Sequence, residues 1–351
     1  MTRVPPLQLI VGPEGHGVVA YAADVAAALR ETDDRTEVAW VDSLPDAQAV
    51  ARRAGRVHLH VTDRLLGRSP EEAADRLEGL ASVTALTVTV HDVPQTSDGT
   101  GLERRVAAYT RMFAAVDAAA VNSQHEQRLV ADFLPGVATP HAIPLGARRS
   151  SPSGLRAREH DAARSGRRDL VVLLAGYIYP GKGHAQAIEA AADAARALRR
   201  AGEPVGAVVV RAIGAPSTGH EGDVAVLRNE AERLGVRFDV TGFLADASFD
   251  ERMMDEGIPL AAHEHVSASR SMLDWVEAGR RPLVVDSRYA REMDRLRPRT
   301  IARYEPAELA LRLVEAWRDP ERTALPAGAS LRPTLADVAA DYLSWWNGPA
   351  R

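Results

Sequence analysis

The sequence predicts an α/β fold made of two successive halves, each a parallel sheet flanked by helices. Short Val-rich apolar runs alternate with longer Ala-, Leu- and Arg-rich stretches of helical period. The alternation stops near Pro144 and restarts after a polar stretch. The 351 residues suffice for two domains at roughly 100–200 residues each. Such alternation predicts parallel strands joined by right-handed crossovers.

In the first half, five apolar runs are predicted strands, and their continuous Val-rich character is typical of strands buried on both faces. The predicted strands are Leu7–Val11, Glu37–Val41, Val57–Val61, Ala85–His91 and Ala118–Asn122. The predicted helices are Gly17–Arg30, Pro70–Leu80, Leu102–Val116 and Gln124–Phe133.

The alternation restarts in the second half. The predicted strands there are Asp169–Ala175, Gly206–Arg211, Val236–Thr241, Pro259–Ala262 and Pro282–Asp286. The predicted helices are His184–Arg200, Asp223–Leu234, Arg270–Ala278 and Pro306–Trp317, followed by a last helix at Leu335–Trp346. We therefore expect domains at 1–146 and 169–330, a linker at 147–168 and a C-terminal helical segment at 331–351.

Composition excludes several classes of protein. The chain is 46% hydrophobic and 26% charged, as in ordinary globular proteins. Its net charge of -5 argues against a nucleic-acid binder held by a basic surface. There are no cysteines, which excludes disulfides and thiolate catalysis. Without an apolar signal region or a run of roughly 20 apolar residues, we expect a cytoplasmic protein. The Ala and Arg usage suggests a bacterial source.

The segment Leu102–Phe113 is a basic amphipathic stretch with two interpretations. It could dock on an anionic membrane surface. A helix packed on the sheet with a solvated basic face explains the pattern as well, and we prefer that interpretation. We therefore expect no membrane association.

The first strand leads into a glycine loop that contains Gly15, His16 and Gly17, and a helix follows. Glycines allow a ligand to approach the backbone, and a helix N-terminus offers free N–H groups. The spacing is not that of a dinucleotide-binding Gly-x-Gly-x-x-Gly motif, and Asp42 is only a candidate for the ribose-binding acid. A tight turn and a ligand-facing loop both remain open.

Histidines fall at the strand ends of the first half. His91 follows a predicted strand and precedes Asp92, while His58 and His60 lie on one side of another strand. At a strand end, His91 could cap the strand or donate to a ligand oxygen. Zinc binding by His16, His60 and His91 is a further alternative, but no ligand spacing supports it, and we predict no metal site.

In the second half, the segment from Gly176 and Tyr177 to Gly183 places Lys182 between two glycines, just before a helix. The ammonium and the helix N–H groups together could bind an anion. The segment is not a Walker motif, because the required upstream glycine and the Ser or Thr after the Lys are absent. The alternative is an exposed Lys in a glycine turn.

A serine-rich segment precedes the predicted helix at Arg270–Ala278. The hydroxyls of Ser267, Ser269 and Ser271 could bind a phosphate together with backbone N–H groups. Arg270 would add a cation, and Asp274 could accept hydrogen bonds from a ribose diol. An ordinary Ser N-cap explains one serine but not the cluster.

Taken in order, these motifs resemble the GT-B glycosyltransferases, and most closely the large retaining family 4 of nucleotide-sugar-dependent enzymes. The resemblance covers nearly the whole chain. Its motifs are the N-terminal Gly loop, His91-Asp92, Val121-Asn122-Ser123, Ile143-Pro144-Leu145-Gly146, Gly176–Gly183, Val240-Thr241-Gly242-Phe243-Leu244 and the Ser-rich helix start. It implies two Rossmann-like domains facing a central cleft, with the last helix crossing back to the first domain.

The resemblance also implies roles for single residues of the second half. Lys182 matches the phosphate-binding Lys of the family. Asp274 stands where a ribose-binding Glu is expected, with Glu264 as candidate for the other acid, although nine residues separate them instead of seven. Tyr177 replaces an Arg of the family, so Arg270 or Arg211 would supply the second cation.

The resemblance implies roles in the first half as well. His91 matches a histidine that faces the donor sugar, and Gly15–Gly17 matches the first-domain glycine loop. His16, His60 and Asp92 are the further substrate-binding candidates beside them. We take His91, Lys182 and Glu264 as the catalytic candidates.

We therefore expect a hexosyl- or related glycosyltransferase that uses a nucleotide-diphosphate sugar, UDP-sugar first, and a small-molecule or glycoside acceptor. Retention is implied by the resemblance. No Asp-x-Asp motif is present, which fits metal-independent transfer without a cofactor. Two alternatives remain: a nucleotide-sugar 2-epimerase, and a non-catalytic GT-B protein that binds a partner.

Overall fold

The computed structural model describes residues 3–152, 167–263 and 266–348. They form two compact units. Unit 1 comprises Met1–Arg148 and Arg332–Arg351, and unit 2 comprises Arg149–Leu331. The last segment therefore belongs to unit 1, which confirms the expected crossing of the C-terminal helix. Most of the expected linker, residues 153–166, lies outside the described residues.

Unit 1 contains a six-stranded parallel sheet with the strand order β2-β1-β3-β4-β5-β6. Its strands are β1 (Leu7–Val11), β2 (Val38–Val41), β3 (Arg56–Val61), β4 (Ala85–Val90), β5 (Ala118–Val121) and β6 (His141–Ala142). Its helices are α1 (Gly17–Thr32), α2 (Leu44–Ala54), α3 (Asp63–Leu66), α4 (Pro70–Ala81), α5 (Leu102–Ala115), α6 (Gln124–Phe133) and the C-terminal α13 (Leu335–Asn347).

Unit 2 contains a second six-stranded parallel sheet, with the order β12-β11-β10-β7-β8-β9. Its strands are β7 (Arg168–Ala175), β8 (Val205–Ile213), β9 (Arg237–Val240), β10 (Ile258–Ala261), β11 (Leu283–Val285) and β12 (Ala302–Tyr304). Its helices are α7 (His184–Arg200), α8 (Glu221–Arg233), α9 (Asp246–Met253), α10 (Arg270–Glu277), α11 (Arg288–Leu296) and α12 (Leu309–Arg318).

The central strands are buried on both faces, as their Val- and Leu-rich sequences predict. In β7, Leu170, Val172 and Leu174 belong to one buried cluster, while Leu173 and Ala175 belong to another. Helices on both faces of the sheet are needed to cover these side chains. The predicted alternation of strands and helices is confirmed.

Several short or highly charged elements lack the apolar pattern on which the prediction depends. Helix α11 is largely charged and buries only Tyr289, Ala290 and Met293. Helix α2 presents buried alanines at positions 47 and 51, a weak apolar signal. Strand β12 has three residues and β6 has two. Packing in the folded chain, rather than local sequence, defines these elements.

The basic face of α5 is paired with acidic side chains of α4. Arg104 lies 2.8 Å from Glu71, and Arg111 lies 2.7 Å from Glu78. These arginines stabilise helix packing within unit 1, which supports the packed-helix interpretation over membrane docking. Within the described parts of the chain, no helix is long and apolar enough to cross a membrane.

At two positions in unit 2, two segments of backbone lie so close together that only glycine fits between them. Gly214 follows β8 with a φ of 152°, and a Cβ there would lie 2.2 Å from the carbonyl oxygen of Gly176. Gly183 precedes α7 with a φ of 93°, and its Cβ would lie 2.2 Å from the carbonyl oxygen of Ala262. The segments after β7, β8 and β10 can therefore meet only through glycines.

We predict that Gly214→Ala destabilises unit 2 more than a glycine substitution without contacts. Left-handed backbone costs an alanine about 1–2 kcal/mol, and the overlap with Gly176 adds about 1–3 kcal/mol. Gly202→Ala is the control, because Gly202 has a φ of 77° and open space around its Cβ position. Urea unfolding of both variants measures the difference. Equal losses of unfolding free energy would contradict the close approach.

Candidate functional site

The carboxyl ends of parallel strands are where such sheets place ligands, above all where the strand order reverses. In unit 2 this reversal lies between β7 and β10, because the chain continues from β7 through β8 to β9 and then returns to the other side of β7. The segments that follow β7 and β10 contain Lys182 and His263. The candidate anion site of unit 2 therefore lies at the topological switch point.

Lys182 is buried at this point, with 5% of its surface exposed. Its Nζ lies 2.7 Å from Nε2 of His263 and donates a hydrogen bond of 3.0 Å to Oγ of Ser271. An ammonium has three donors, so one N–H remains without a partner among the described residues. The next residue but one, His184, begins helix α7, and the N-cap residue Gly183 has no side chain to cap its first turn. The arrangement suits an anion.

Burial lowers the pKa of Lys182 to about 7, and the negative charge of Asp274 opposes this effect. Desolvation and the neighbouring Lys182 hold the pKa of His263 well below its usual range. His263 is therefore neutral, and its Nε2 can accept the hydrogen bond from Lys182. An anion that enters the site would favour the charged form of Lys182.

Gly176 leaves room beside the ammonium. A Cβ at this position would lie 3.2 Å from Nζ of Lys182 and 3.6 Å from Cβ of Ser271. The backbone φ of Gly176 is 98°, which favours glycine as well. Tyr177, the next residue, is exposed. The glycine loop thus brings Gly176, Lys182 and Ser271 together, as the sequence predicts.

The three serines at positions 267, 269 and 271 have different surroundings. Ser269 caps α10, because its hydroxyl accepts a hydrogen bond of 3.2 Å from the backbone N–H of Met272. Ser271 is the member that contacts Lys182. Ser267 is buried. Glu264, the third catalytic candidate, lies outside the described residues, as does His265.

Arg270 is engaged by two carboxylates of its own helix. Its Nε lies 2.8 Å from Asp274, one turn along α10, and its Nη2 donates a hydrogen bond of 2.6 Å to Glu277. Glu277 is buried, and Asp274 is largely buried. The charge of Arg270 is thus already balanced within α10, which makes it a weaker candidate for a phosphate-binding cation.

Arg211, the other candidate for a second cation, lies within strand β8 rather than at its end. Its guanidinium is 3.0 Å from Asp255 and 3.7 Å from Asp239. Among the described residues, no contact joins Arg211 to Lys182. Lys182 is therefore the cation that the described structure brings to the switch point.

In unit 1, the glycine loop ends in a histidine cap. Nδ1 of His16 accepts a hydrogen bond of 3.2 Å from the backbone N–H of Val18 at the start of α1. Burial lowers the pKa of His16. A Cβ at Gly15 or Gly17 would meet no atom within 4 Å. The loop therefore leaves open space around both glycines.

His60 and His91 form a hydrogen-bonded chain across the strand ends of unit 1. Nδ1 of His60 lies 3.0 Å from Nε2 of His91, and Nδ1 of His91 lies 3.2 Å from Nδ2 of Asn122. Burial holds the pKa of both histidines well below the usual range; the next cause is the neighbouring His58 for His60, and His60 and His16 for His91. The pair can therefore offer hydrogen bonds to a ligand, but not positive charge.

His58 has a structural role under the C-terminal helix. Its ring nitrogens lie 2.9 Å from Oγ1 of Thr87 and 3.1 Å from Oγ1 of Thr89. Thr89 in turn lies 2.6 Å from the hydroxyl of Tyr342 in α13. The ring of His58 also packs against Tyr342 and Trp346. This network attaches α13 to the sheet of unit 1.

Asp92 is held by Arg105, a residue that the sequence analysis did not single out. Arg105 donates hydrogen bonds to the carbonyl oxygen of Asp92 at 2.6 Å and to its carboxylate at 3.1 Å. It also lies 3.0 Å from Asp63 and 2.7 Å from Asp98. Asp92 has a left-handed φ of 56°, which is strained for a residue other than glycine. Arg105 thus fixes the conformation of the strand end that carries His91.

Among the residues that sequence reasoning missed, His263, Glu277 and Arg105 make the strongest contacts. Glu277 was available from helical spacing, since it lies seven residues after Arg270 on the same face. One further signal was overlooked: Lys182 is the only lysine among 351 residues. Within the described residues, no group of three or more His, Asp or Glu side chains is arranged to hold a metal ion.

Comparison with known proteins gives similarity of structure but not of sequence. No family model matches the chain, and no curated protein sequence matches it. HepE from Anabaena, solved in complex with UDP and glucose, matches 97% of this chain and 97% of its own, with a TM-score of 0.65 and 15% identity.

Two further structures are similar. Sucrose-phosphate synthase from Thermosynechococcus elongatus matches 97% of this chain and 91% of its own, with a TM-score of 0.63 and 12% identity. A UDP-forming α,α-trehalose-phosphate synthase from Burkholderia xenovorans, in complex with glucose-6-phosphate, matches 94% and 85%, with a TM-score of 0.60 and 12% identity. Together with the two parallel sheets, these matches establish the GT-B fold for this chain.

We predict that the side chain of Lys182 titrates near pH 7 in the folded protein. Because the chain has one lysine, protein labelled with ¹³C-lysine gives a single ε-carbon NMR signal. Its midpoint should lie near 7 and should rise when pyrophosphate is added, since an anion stabilises the ammonium. The same signal in urea should titrate near about 10.4. A midpoint above 9 in the folded protein would contradict the buried environment.

Proposed function

We propose that this protein is a metal-independent, retaining glycosyltransferase that moves a sugar from UDP to a small-molecule or glycoside acceptor. The observation that carries the proposal is the buried ammonium of Lys182 at the switch point of unit 2, with one donor that has no partner among the described residues. The motif resemblance supports assignment to family 4 and retention. The complex of HepE with UDP and glucose supports a UDP-sugar as donor.

The reaction breaks the bond between the anomeric carbon of the sugar and the diphosphate. Negative charge develops on the leaving diphosphate, and donors already oriented toward that charge lower the barrier most effectively. In our proposal Lys182 and the first N–H groups of α7 meet the diphosphate. Ser271 accepts a hydrogen bond from Lys182 and would orient the ammonium toward the phosphate oxygens.

The remainder of the donor would lie along the same edge of unit 2. Gly176 places no side chain beside Nζ, where a Cβ would lie 3.2 Å away, and in our proposal a phosphate approaches there. In our proposal Asp274 accepts hydrogen bonds from the ribose hydroxyls, as a carboxylate can do with both of its oxygens. Tyr177 and Arg211 remain weaker binding candidates, because one is exposed and the other is paired with Asp255 and Asp239.

Unit 1 would bind the sugar and the acceptor through neutral groups. We propose that the His60–His91 pair faces the sugar, with Nε2 of His60 as the ring nitrogen that has no partner among the described residues, and that Asp92 orients an acceptor hydroxyl. The loop Gly15–Gly17 and His16 would contact the acceptor. Because their pKa values are low, the histidines would act by hydrogen bonding and not as charged acids at neutral pH. Glu264 stays a catalytic candidate from the resemblance.

We predict that Lys182→Met weakens UDP binding by about 10- to 100-fold, the range for a hydrogen bond to a charged group. Turnover of a UDP-sugar should fall by about 10²–10³, as when an oxyanion donor is lost. Wild-type affinity should decrease up to about tenfold per pH unit above 7.5, since binding then requires proton uptake by Lys182. The variant should lack this slope.

The control for this test is Arg196→Met, which removes an exposed cation from the same helix, α7. Calorimetry gives the affinities, and NMR of the anomeric proton in the product tests retention. Wild-type protein that binds no UDP would contradict the proposal. Binding without transfer would support the non-catalytic alternative, and sugar isomers released without an acceptor would support the 2-epimerase.

We predict that chelation leaves the initial rate unchanged, because Lys182 and helix N–H groups replace a divalent ion at the diphosphate. The measurement is the rate before and after excess EDTA, followed by addition of Mg²⁺, Mn²⁺ or Zn²⁺. A loss that Mg²⁺ or Mn²⁺ restores would contradict metal independence. A loss that only Zn²⁺ restores would point to the histidines of unit 1.

A further inference from the structure

In helix α10, one arginine contacts two acidic side chains, Asp274 and Glu277. Glu277 belongs to none of the motifs described above. Arg270, Asp274 and Glu277 lie four and three residues apart along α10, so they share one face of the helix. Arg270 occupies the middle of the series, 2.8 Å from Asp274 and 2.6 Å from Glu277. Glu277 has 6% of its side chain exposed, and Asp274 has 17%. The carboxylate of Asp274 is thus more exposed to solvent than that of Glu277.

We propose that Glu277 is a positioning residue for nucleotide recognition, acting through Arg270 to fix the carboxylate of Asp274 toward the ribose of the donor. The inference rests on the proposed function and extends it to discrimination between ribose and deoxyribose. Glu277 itself does not touch the nucleotide.

The physical argument starts from the buried charge of Glu277. A buried carboxylate is stable when it is paired and hydrogen-bonded, and Arg270 supplies that pair. The guanidinium is planar and rigid, so an oxygen bound at one of its nitrogens fixes the orientation of the whole group. The hydrogen bond from Nη2 to Glu277 therefore keeps the charged guanidinium beside Asp274, whose carboxylate lies 2.8 Å from Nε. Asp274 loses rotational freedom before a ligand arrives.

A fixed carboxylate discriminates between nucleotides. Two carboxylate oxygens can accept from both hydroxyls of a ribose, but a 2′-deoxyribose offers only one. If Asp274 were free to rotate, part of the binding free energy would be lost in ordering it. The arrangement of α10 therefore favours UDP over dUDP, and this preference should depend on Glu277 although it lies about one turn along α10 from Asp274.

The test compares the dissociation constants of UDP, dUDP and pyrophosphate for wild type, Asp274→Asn, Glu277→Gln and both changes together. The wild type should prefer UDP over dUDP by about 10- to 100-fold, the range for a hydrogen bond to a charged group. Each single variant should reduce this ratio severalfold or more, and the double variant should be no worse than Asp274→Asn alone. Pyrophosphate, which contacts Lys182 and not the ribose, should bind all four proteins alike.

Glu308→Gln is the matched control, because Glu308 pairs with Arg312 of helix α12 in unit 2 at 2.9 Å. It should leave the ratio unchanged. Glu277→Asp keeps the charge and should retain part of the preference, which also keeps the test open if Glu277→Gln does not fold. A Glu277→Gln protein with the wild-type ratio would overturn the positioning role. Equal binding of UDP and dUDP by the wild type would overturn the role of Asp274, while absence of binding to UDP and pyrophosphate would overturn the proposed function itself.

Discussion

Close approach of backbones at one edge of unit 2 is the constraint on which the candidate anion site depends. Gly214 lies against the backbone of Gly176, and Gly183 lies against that of Ala262. These contacts bring the segments after β7, β8 and β10 close enough to enclose Lys182. The enclosure removes water from the ammonium, and the hydroxyl of Ser271 and the ring of His263 replace part of that water. Side chains at the glycine positions would push these segments apart.

The strand ends of unit 1 carry neutral or paired polar side chains. The buried histidines His58, His60 and His91 are neutral and bound to each other, to Asn122 or to threonine hydroxyls. The guanidinium of Arg105 is enclosed by carboxylates and holds Asp92 in a strained conformation. Unit 1 therefore presents oriented polar groups, whereas unit 2 presents a charge.

The fold followed from the sequence because buried parallel strands and the helices between them have strong, regular apolar patterns. Helix α11 and strand β12 were missed, since tertiary packing and not local pattern defines them. At the candidate site, Lys182, Gly176 and Ser271 were predictable, because a loop between a strand and a helix brings them to a known edge. His263 and Arg105 were not, because their roles depend on contacts across 81 and 42 positions of the chain. The ion pairs of Arg270 lie within one helix and could have been read from spacing.

The solitary lysine has a chemical consequence. Arginine supplies every other side-chain cation apart from histidine, and a guanidinium stays protonated and forms no Schiff base with a simple aldehyde. Apart from the α-amino group, the chain thus offers such reagents one amine, and this amine is already partly unprotonated near neutral pH. Because Lys182 is enclosed, a reagent would have to enter the candidate anion site to reach it. A phosphate-bearing aldehyde would meet that requirement, and covalent capture at a single position would then report directly on whether the site is occupied.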